Sequence, residues 1–540
     1  MKKLFLVLIL LVSGCLQTLA QNALCKFGDV NPLDIEFKRL AVRRFIFSNN
    51  IPLNEFVPSE IVSFSSMHPA FKVSETESLV CDREFSPKIE KGKLVLDQDC
   101  GKEGVAFFAG GVNPYAVYEV DIESIAGDAE VGVELAATGL RNRVQVYAGS
   151  SPGKEGIYIR IYCNGAMERE VRCTDSLPEG AFVLRMQSYG KAVAVYIEQY
   201  GESVLVGRIA DKENFSRIID FRDIKTAGNS TFNVISNLKG RAVVGGARSY
   251  LSTGIGQADI RLISYEDLSP YFYEDRLWFT FSIRGIDICQ SAQGILSLDP
   301  SVFDPKLEGV VVFDHGDGLL RNDYSSHLFF DRTDNQWKAV ACDFGGTAGE
   351  DERSGTRLLT ATSAKLPLKG FTVMKAKRIE TDHIVGSHED PCIFYDREAG
   401  KWRMLTSTMY NNGILSKLFE SDSWDGYFTQ LGPEITLNST GTSLQKVGDR
   451  YYAFMGGAGC NLRCHSYPDL ELLGELDTNF QPHWPEPAAR IWASLVPLPE
   501  GYPYEYILLT MDRPNFPGIT GANWSYGALY FFGGNLKKGE

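Results

Sequence analysis

The residues best suited to chemistry in this chain are carboxylates that open a diffuse repeat in its second half. Ser387-His388-Glu389-Asp390-Pro391 leads into the apolar run Cys392-Ile393-Phe394-Tyr395, an acidic turn from Asp396 to Gly400, and Trp402-Arg403-Met404-Leu405. The same form (polar start, hydrophobic strand, tight turn, aromatic-rich strand) recurs at Glu274-Asp275, Asn322-Asp323, Gly441-Thr442 and Arg490-Ile491. Carboxylates brought together push one another's pKa values apart, so one keeps its proton while another stays ionised. That is the equipment of general acid–base and nucleophilic work. Asp390 and the adjacent Glu389 are the central candidates, and Asp275, Glu274 and Asp323 compete for the role of base or nucleophile. The fourth repeat start, Ser439-Thr440-Gly441-Thr442-Ser443, carries no carboxylate, and Glu434 upstream is a weak substitute. His388, Arg321, Asp317 and His315 are candidates for holding a substrate, Arg321 because a guanidinium grips carboxylates and hydroxyls.

These residues need elements that bring distant positions together. The repeat starts fall at intervals of about 50–70 residues, the length that four short strands and their turns occupy. Five such repeats predict a five-bladed β-propeller over 271–540, whose innermost strands aim their first residues at a common axis. Upstream, Tyr115–Ile122, Arg143–Tyr147, Gly156–Tyr162 and Ala192–Ile197 alternate apolar and polar residues and are separated by turn signals such as Asn164-Gly165. Period-two alternation in many short strands predicts a β-sandwich over 76–268. Residues 21–75, with an apolar and basic patch from Phe37 to Phe47, are expected to form a cover or linker. The fold class expected is therefore all-β, a jelly-roll sandwich followed by a propeller.

The Ser387–Asp396 segment, with its Gly400-Lys401-Trp402 continuation, closely resembles the Asp-Pro segment of the invertase and fructanase family. It is also similar to the arabinanase and xylosidase family and to the mannoside phosphorylases. The resemblance implies that Asp390 stabilises a transition state or tunes the pKa of an acid, with the base on the first blade and the acid on the fourth. Three positions depart from the pattern: Glu389 stands where invertases have Arg, Tyr324 follows Asn322-Asp323 where they have Pro, and the fourth blade lacks its Glu. Residues 76–268 look like the concanavalin-like jelly rolls that accompany carbohydrate-active enzymes, and either bind sugar or brace their neighbour. Together these resemblances imply a glycoside hydrolase acting on a polysaccharide or oligosaccharide. Glycosidic cleavage builds positive charge on the ring and needs a proton donor and a nucleophile or activated water. The alternatives are a non-catalytic carbohydrate-binding propeller, a glycoside phosphorylase or a polysaccharide lyase. No cofactor is required, and a structural cation such as calcium is compatible with the reading.

The formal net charge of −14 over 540 residues argues against a sequence-independent nucleic-acid binder, which needs a basic footprint. Lys2-Lys3 followed by the apolar Leu4–Val12 reads as an export signal over 1–20, cleaved after Thr18-Leu19-Ala20. The alternative is a lipobox at Val12-Ser13-Gly14-Cys15 with a lipid anchor on Cys15. No later stretch reads as a transmembrane helix, and the expected location is periplasmic, extracellular or on the outer surface. Export permits disulfides; Cys163 and Cys173 flank the Asn164-Gly165 turn and are candidates for a bridge, and Cys460 with Cys464 could close a small loop or remain thiols. Trp337 and Trp402 occupy equivalent repeat positions and are expected to be core residues.

Overall fold

The computed structural model describes residues 28–58, 88–97, 105–137, 141–190, 192–209, 215–237, 239–286, 290–345, 357–379, 387–410, 413–457, 461–478, 491–520 and 524–537. The export signal and Cys15 lie outside these residues, as does Cys460. The described chain is nearly all β, with only short helical turns at Pro32–Asp34, Phe215–Ile218 and Ile224–Gly228. None of its helices is long and apolar enough to cross a membrane.

The sandwich consists of a six-stranded and an eight-stranded sheet. Alternation puts one face of each strand inside: Val131, Val133 and Leu135 from the first sheet meet Val120, Leu184, Met186 and Val195 from the second, all fully buried. Cys163 and Cys173 lie at opposite ends of their hairpin. Cys163 sits at the turn opposite Ala166, while the amide of Cys173 donates to the carbonyl of Ile157. Both are free thiols, so the expected bridge does not form; Cys464 is also a free, buried thiol.

Beyond the sandwich, the described strands fall into five four-stranded antiparallel units. Their first strands are Gly256–Leu262, Tyr324–Asp331, Ser387–Asp396, Ser439–Val447 and Ser494–Pro497. Each packs beside the next, and the last packs beside the first, which closes a propeller ring. The outer strands of the first two units pair in parallel, Gly309–Asp314 against Gly370–Lys375, and fuse those units into one sheet. Trp337 and Trp402 are buried within the units, as expected of core residues.

Two boundaries differ from the sequence reading. The first unit begins at Gly256–Leu262, inside the segment assigned to the sandwich, and Arg276–Arg284 is its second strand. Residues 263–275 separate the strand at 256–262 from the strand with which it pairs, so no tight hairpin turn marks it. The segment 21–75 is also more than a linker. Ile35–Arg43 pairs with Leu529–Leu536 and supplies the outermost strand of the last unit, whereas Ile51–Phe56 pairs with Arg241–Leu251 of the sandwich. Ile35 is buried against Tyr506, Leu508 and Phe532 in this closing contact.

The sandwich docks on the propeller through fixed hydrogen bonds. Tyr115 donates its hydroxyl to the Leu320 carbonyl at 2.6 Å. Arg222, fully buried, is paired with Asp220 and donates to the Gly345 carbonyl at 2.8 Å. Tyr196 and Tyr250 of the sandwich share an apolar cluster with Phe47, Ile286 and Phe516.

Truncating Ile35 to Ala removes buried apolar volume at the closing strand. We expect it to lower global stability by about 2–5 kcal/mol, read as a fall in the urea unfolding midpoint at unchanged slope.

Candidate active site

The propeller axis is built from one recurring backbone device. The first strands of units one to four each break register, between Ala258 and Arg261, Tyr324 and His327, Glu389 and Cys392, and Thr440 and Ser443. Each break centres on a left-handed residue: Asp259 (φ 55°), Ser325 (56°), Asp390 (58°) and Gly441 (68°). A bulge re-aims one side chain out of the strand's alternation. The first and third units place an aspartate there. In the fifth unit, Trp492 lies two residues before the first strand and is fully buried.

Both aspartates are buried. Asp390 Oδ2 accepts from Thr440 Oγ1 at 2.6 Å and from the Gly441 amide at 3.0 Å. Asp259 Oδ2 accepts from Ser282 Oγ at 2.6 Å. Burial raises the pKa of Asp390 above the ordinary carboxylate range and the charge of Asp259 raises it further, against the donors Thr440 and Gly441 and the cation Arg261. Two buried arginines balance the pair. Arg261 reaches the Asp390 carbonyl at 3.3 Å and lies 4.6 Å over the Trp492 ring. Arg284 is held charged by Asp259, Tyr324 and Asp390, and bonds Ser291 Oγ at 3.0 Å. The arrangement keeps one carboxyl inclined to hold a proton beside a second carboxylate.

The other sequence candidates are placed as follows. Glu389, half-buried, precedes Asp390 on the same strand and adds to the negative field at the buried Cys342 thiol. Glu274 and Asp275 are not axial: they form the exposed turn between Tyr273 and Arg276, and Glu274 pairs with Lys369 at 2.7 Å. They were misplaced because the strand after them is second in its unit. Asp323 is buried at the start of the second unit's first strand, joined to His315 rather than to the axial pair, with His315 Nε2 2.9 Å from Asp323 Oδ2. Arg321 is occupied by Asp317, donating from Nη1 at 2.6 Å, and this hydrogen bond, helped by the Leu319 amide and the guanidinium charge, holds the Asp317 carboxyl well below its ordinary range. His388 is buried inside the third unit, with Nδ1 3.2 Å from Thr408 Oγ1. Glu434 lies on the outermost strand of the third unit, paired with Lys417, and cannot stand in for an acid on the fourth.

The missing carboxylate of the fourth unit has a steric cause. A Cβ built on Gly441 would stand 2.3 Å from the Trp492 ring, so the space a side chain would fill is taken by tryptophan. Sequence reasoning missed Asp259, Arg261, Arg284 and Trp492. Ala258-Asp259-Ile260-Arg261-Leu262 shares only its aspartate and its apolar last residue with Glu389-Asp390-Pro391-Cys392-Ile393, too little to mark it as a repeat start.

No protein-family model matches the chain, and no curated protein matches it. Among solved structures it is similar to a thermostable family-43 glycoside hydrolase, at 12% identity over 52% of this chain and 91% of that one, TM-score 0.32. It is similar to the α-L-arabinanase of Penicillium chrysogenum, at 8% identity over 66% and 90%, TM-score 0.32. A Bacillus licheniformis β-glucanase aligns at 11% identity over 37% of this chain and 98% of that one, TM-score 0.25.

Because Asp259 is the largest charge raising Asp390, Asp259→Asn should bring the pKa of Asp390 down towards the ordinary carboxylate value. Carboxyl-labelled aspartate NMR over a pH titration measures this directly; an unmoved Asp390 resonance would show that the two carboxylates are not in communication.

Proposed function

We propose that the chain is an exported glycoside hydrolase whose reaction centre is the Asp259–Asp390 pair on the propeller axis. The observation that supports this most is the pair itself: two buried aspartates on equivalent bulges of the first and third units, with the pKa of Asp390 raised by burial and, further, by the charge of Asp259. In this reading the ionised carboxylate faces the positive charge that develops on the sugar ring or activates a water, and its partner shapes the local field. Arg261 and Arg284 keep the negative pair from repelling itself out of shape. Glu389, the next carboxylate on the strand, supplies the proton to the leaving oxygen. The substrate is a polysaccharide or oligosaccharide. The charged and apolar run at the start of the sequence supports export.

A second reading is favoured by one observation, the filling of the fourth unit's carboxylate position by Trp492. A propeller so altered would hold a sugar without cleaving it.

The two readings separate on variants tested against a panel of polysaccharides, with products weighed by mass spectrometry. Hydrolysis requires that Asp390→Asn and Asp259→Asn each lose at least ~100-fold in kcat while circular dichroism stays unchanged. Glu389→Gln should lose activity most on substrates with poor leaving groups. Binding of a glycan with no product from the wild-type chain supports the second reading instead. Products carrying phosphate or a new double bond would reassign the chain to a phosphorylase or a lyase.

A further inference from the structure

Away from the axial pair, at the junction of sandwich and propeller, three ligand-bearing side chains converge. His315, Asp323 and Asp343 each offer one atom, and these atoms lie within 4.8 Å of one another. Asp323 and Asp343 are buried, and His315 closes the group from the half-buried side.

Each carboxylate is held by one of its oxygens. Asp323 Oδ1 accepts the Gly345 amide at 2.8 Å, leaving Oδ2 against His315 Nε2 at 2.9 Å. Asp343 Oδ2 accepts from Arg378 Nε at 2.7 Å. Its other oxygen, Oδ1, is buried and has no hydrogen-bond partner among the described residues. A buried carboxylate oxygen without a partner costs free energy, and here a second buried carboxylate stands beside it. A cation removes both penalties together, and outer hydrogen bonds to the far oxygens are the usual means of fixing metal-binding carboxylates.

We propose that His315, Asp323 and Asp343 form a binding site for a divalent cation of the zinc type. One imidazole nitrogen with two carboxylate oxygens is a donor set for a nitrogen-accepting ion, whereas calcium and magnesium favour oxygen alone. Zinc takes such donors at about 2.0–2.2 Å, so a small inward rotation of the side chains completes three positions and leaves a fourth for water. The ion ties His315, on the connection between the first two units, to Asp323 and Asp343 at the ends of adjacent strands. That places it under the sandwich contact, where Gly345 bonds both Asp323 and Arg222. Its role is to fix the docking of the two domains, and it is independent of the glycosidase reading.

The test uses the full-length untagged protein, stripped with a chelator and titrated with Zn²⁺, Ca²⁺ or Mg²⁺ by calorimetry. Wild type should take up one Zn²⁺ per chain and unfold at a higher temperature with it. His315→Ala and Asp343→Asn should each weaken Zn²⁺ uptake at least ~10-fold while circular dichroism stays unchanged. His315 is the least buried of the three and lies on a loop, so its variant decides the matter if Asp343→Asn fails to fold. Failure of wild type to bind Zn²⁺ overturns the proposal, as does binding of Ca²⁺ alone or undiminished Zn²⁺ uptake by His315→Ala.

Discussion

The second half of this protein depends on ring closure. Five four-stranded units stand around an axis, and the ring is complete only when the first strand of the last unit packs against that of the first. Here the outermost strand of the last unit comes from the beginning of the chain, Ile35–Arg43, laddered onto Leu529–Leu536. Closure presses the first strands of all units against one another. That packing makes burial of charged side chains at the centre sustainable, because each can be met by groups from neighbouring units.

The axis uses that constraint. A left-handed aspartate in a strand is unfavourable in isolation and persists only where its surroundings fix it. Asp390 is fixed from the fourth unit, by Thr440, Thr442 and the Gly441 amide. Asp259 is fixed by Ser282 of its own unit. The same bulge carries Ser325 and Gly441 in the units between and beyond. The backbone device is therefore shared, and the side chain placed on it decides whether a unit contributes charge, a hydroxyl or empty space.

Much of this was legible in the sequence, for physical reasons that also explain what was not. Period-two alternation is strong where one strand face is buried, so the sandwich strands could be read directly. The third repeat could be read because a polar start, an apolar strand, an acidic turn and a tryptophan strand fall in succession within it. The first repeat was harder: Gly256–Leu262 alternates Gln257, Asp259 and Arg261 with Ala258, Ile260 and Leu262, so in sequence it continues the pattern of the sandwich strands before it, although all of it is buried. The clearer aromatic-rich pattern lies one strand downstream, after Glu274 and Asp275, which are solvent-facing turn residues. Ile35–Arg43 was hidden for a different reason: its pairing partner lies at the other end of the chain, and local pattern carries no information about so distant a ladder. The absent acid of the fourth unit was visible as a missing residue, but its cause, Trp492, needed three dimensions.

The closing strand also changes what the sandwich is. The chain enters at the propeller's last unit, leaves to build the whole sandwich, and returns to begin the first unit. The sandwich is thus an insertion within the propeller rather than a module appended to its front. Trimming from the start of the chain to free the propeller would carry away one of its own strands. During synthesis, that strand must wait, unpaired, until nearly the whole polypeptide has emerged. The ring then completes by a contact of very high sequence separation, the kind that folds slowly. The sandwich, made of nearer pairings, can assemble first and hold the waiting strand beside it.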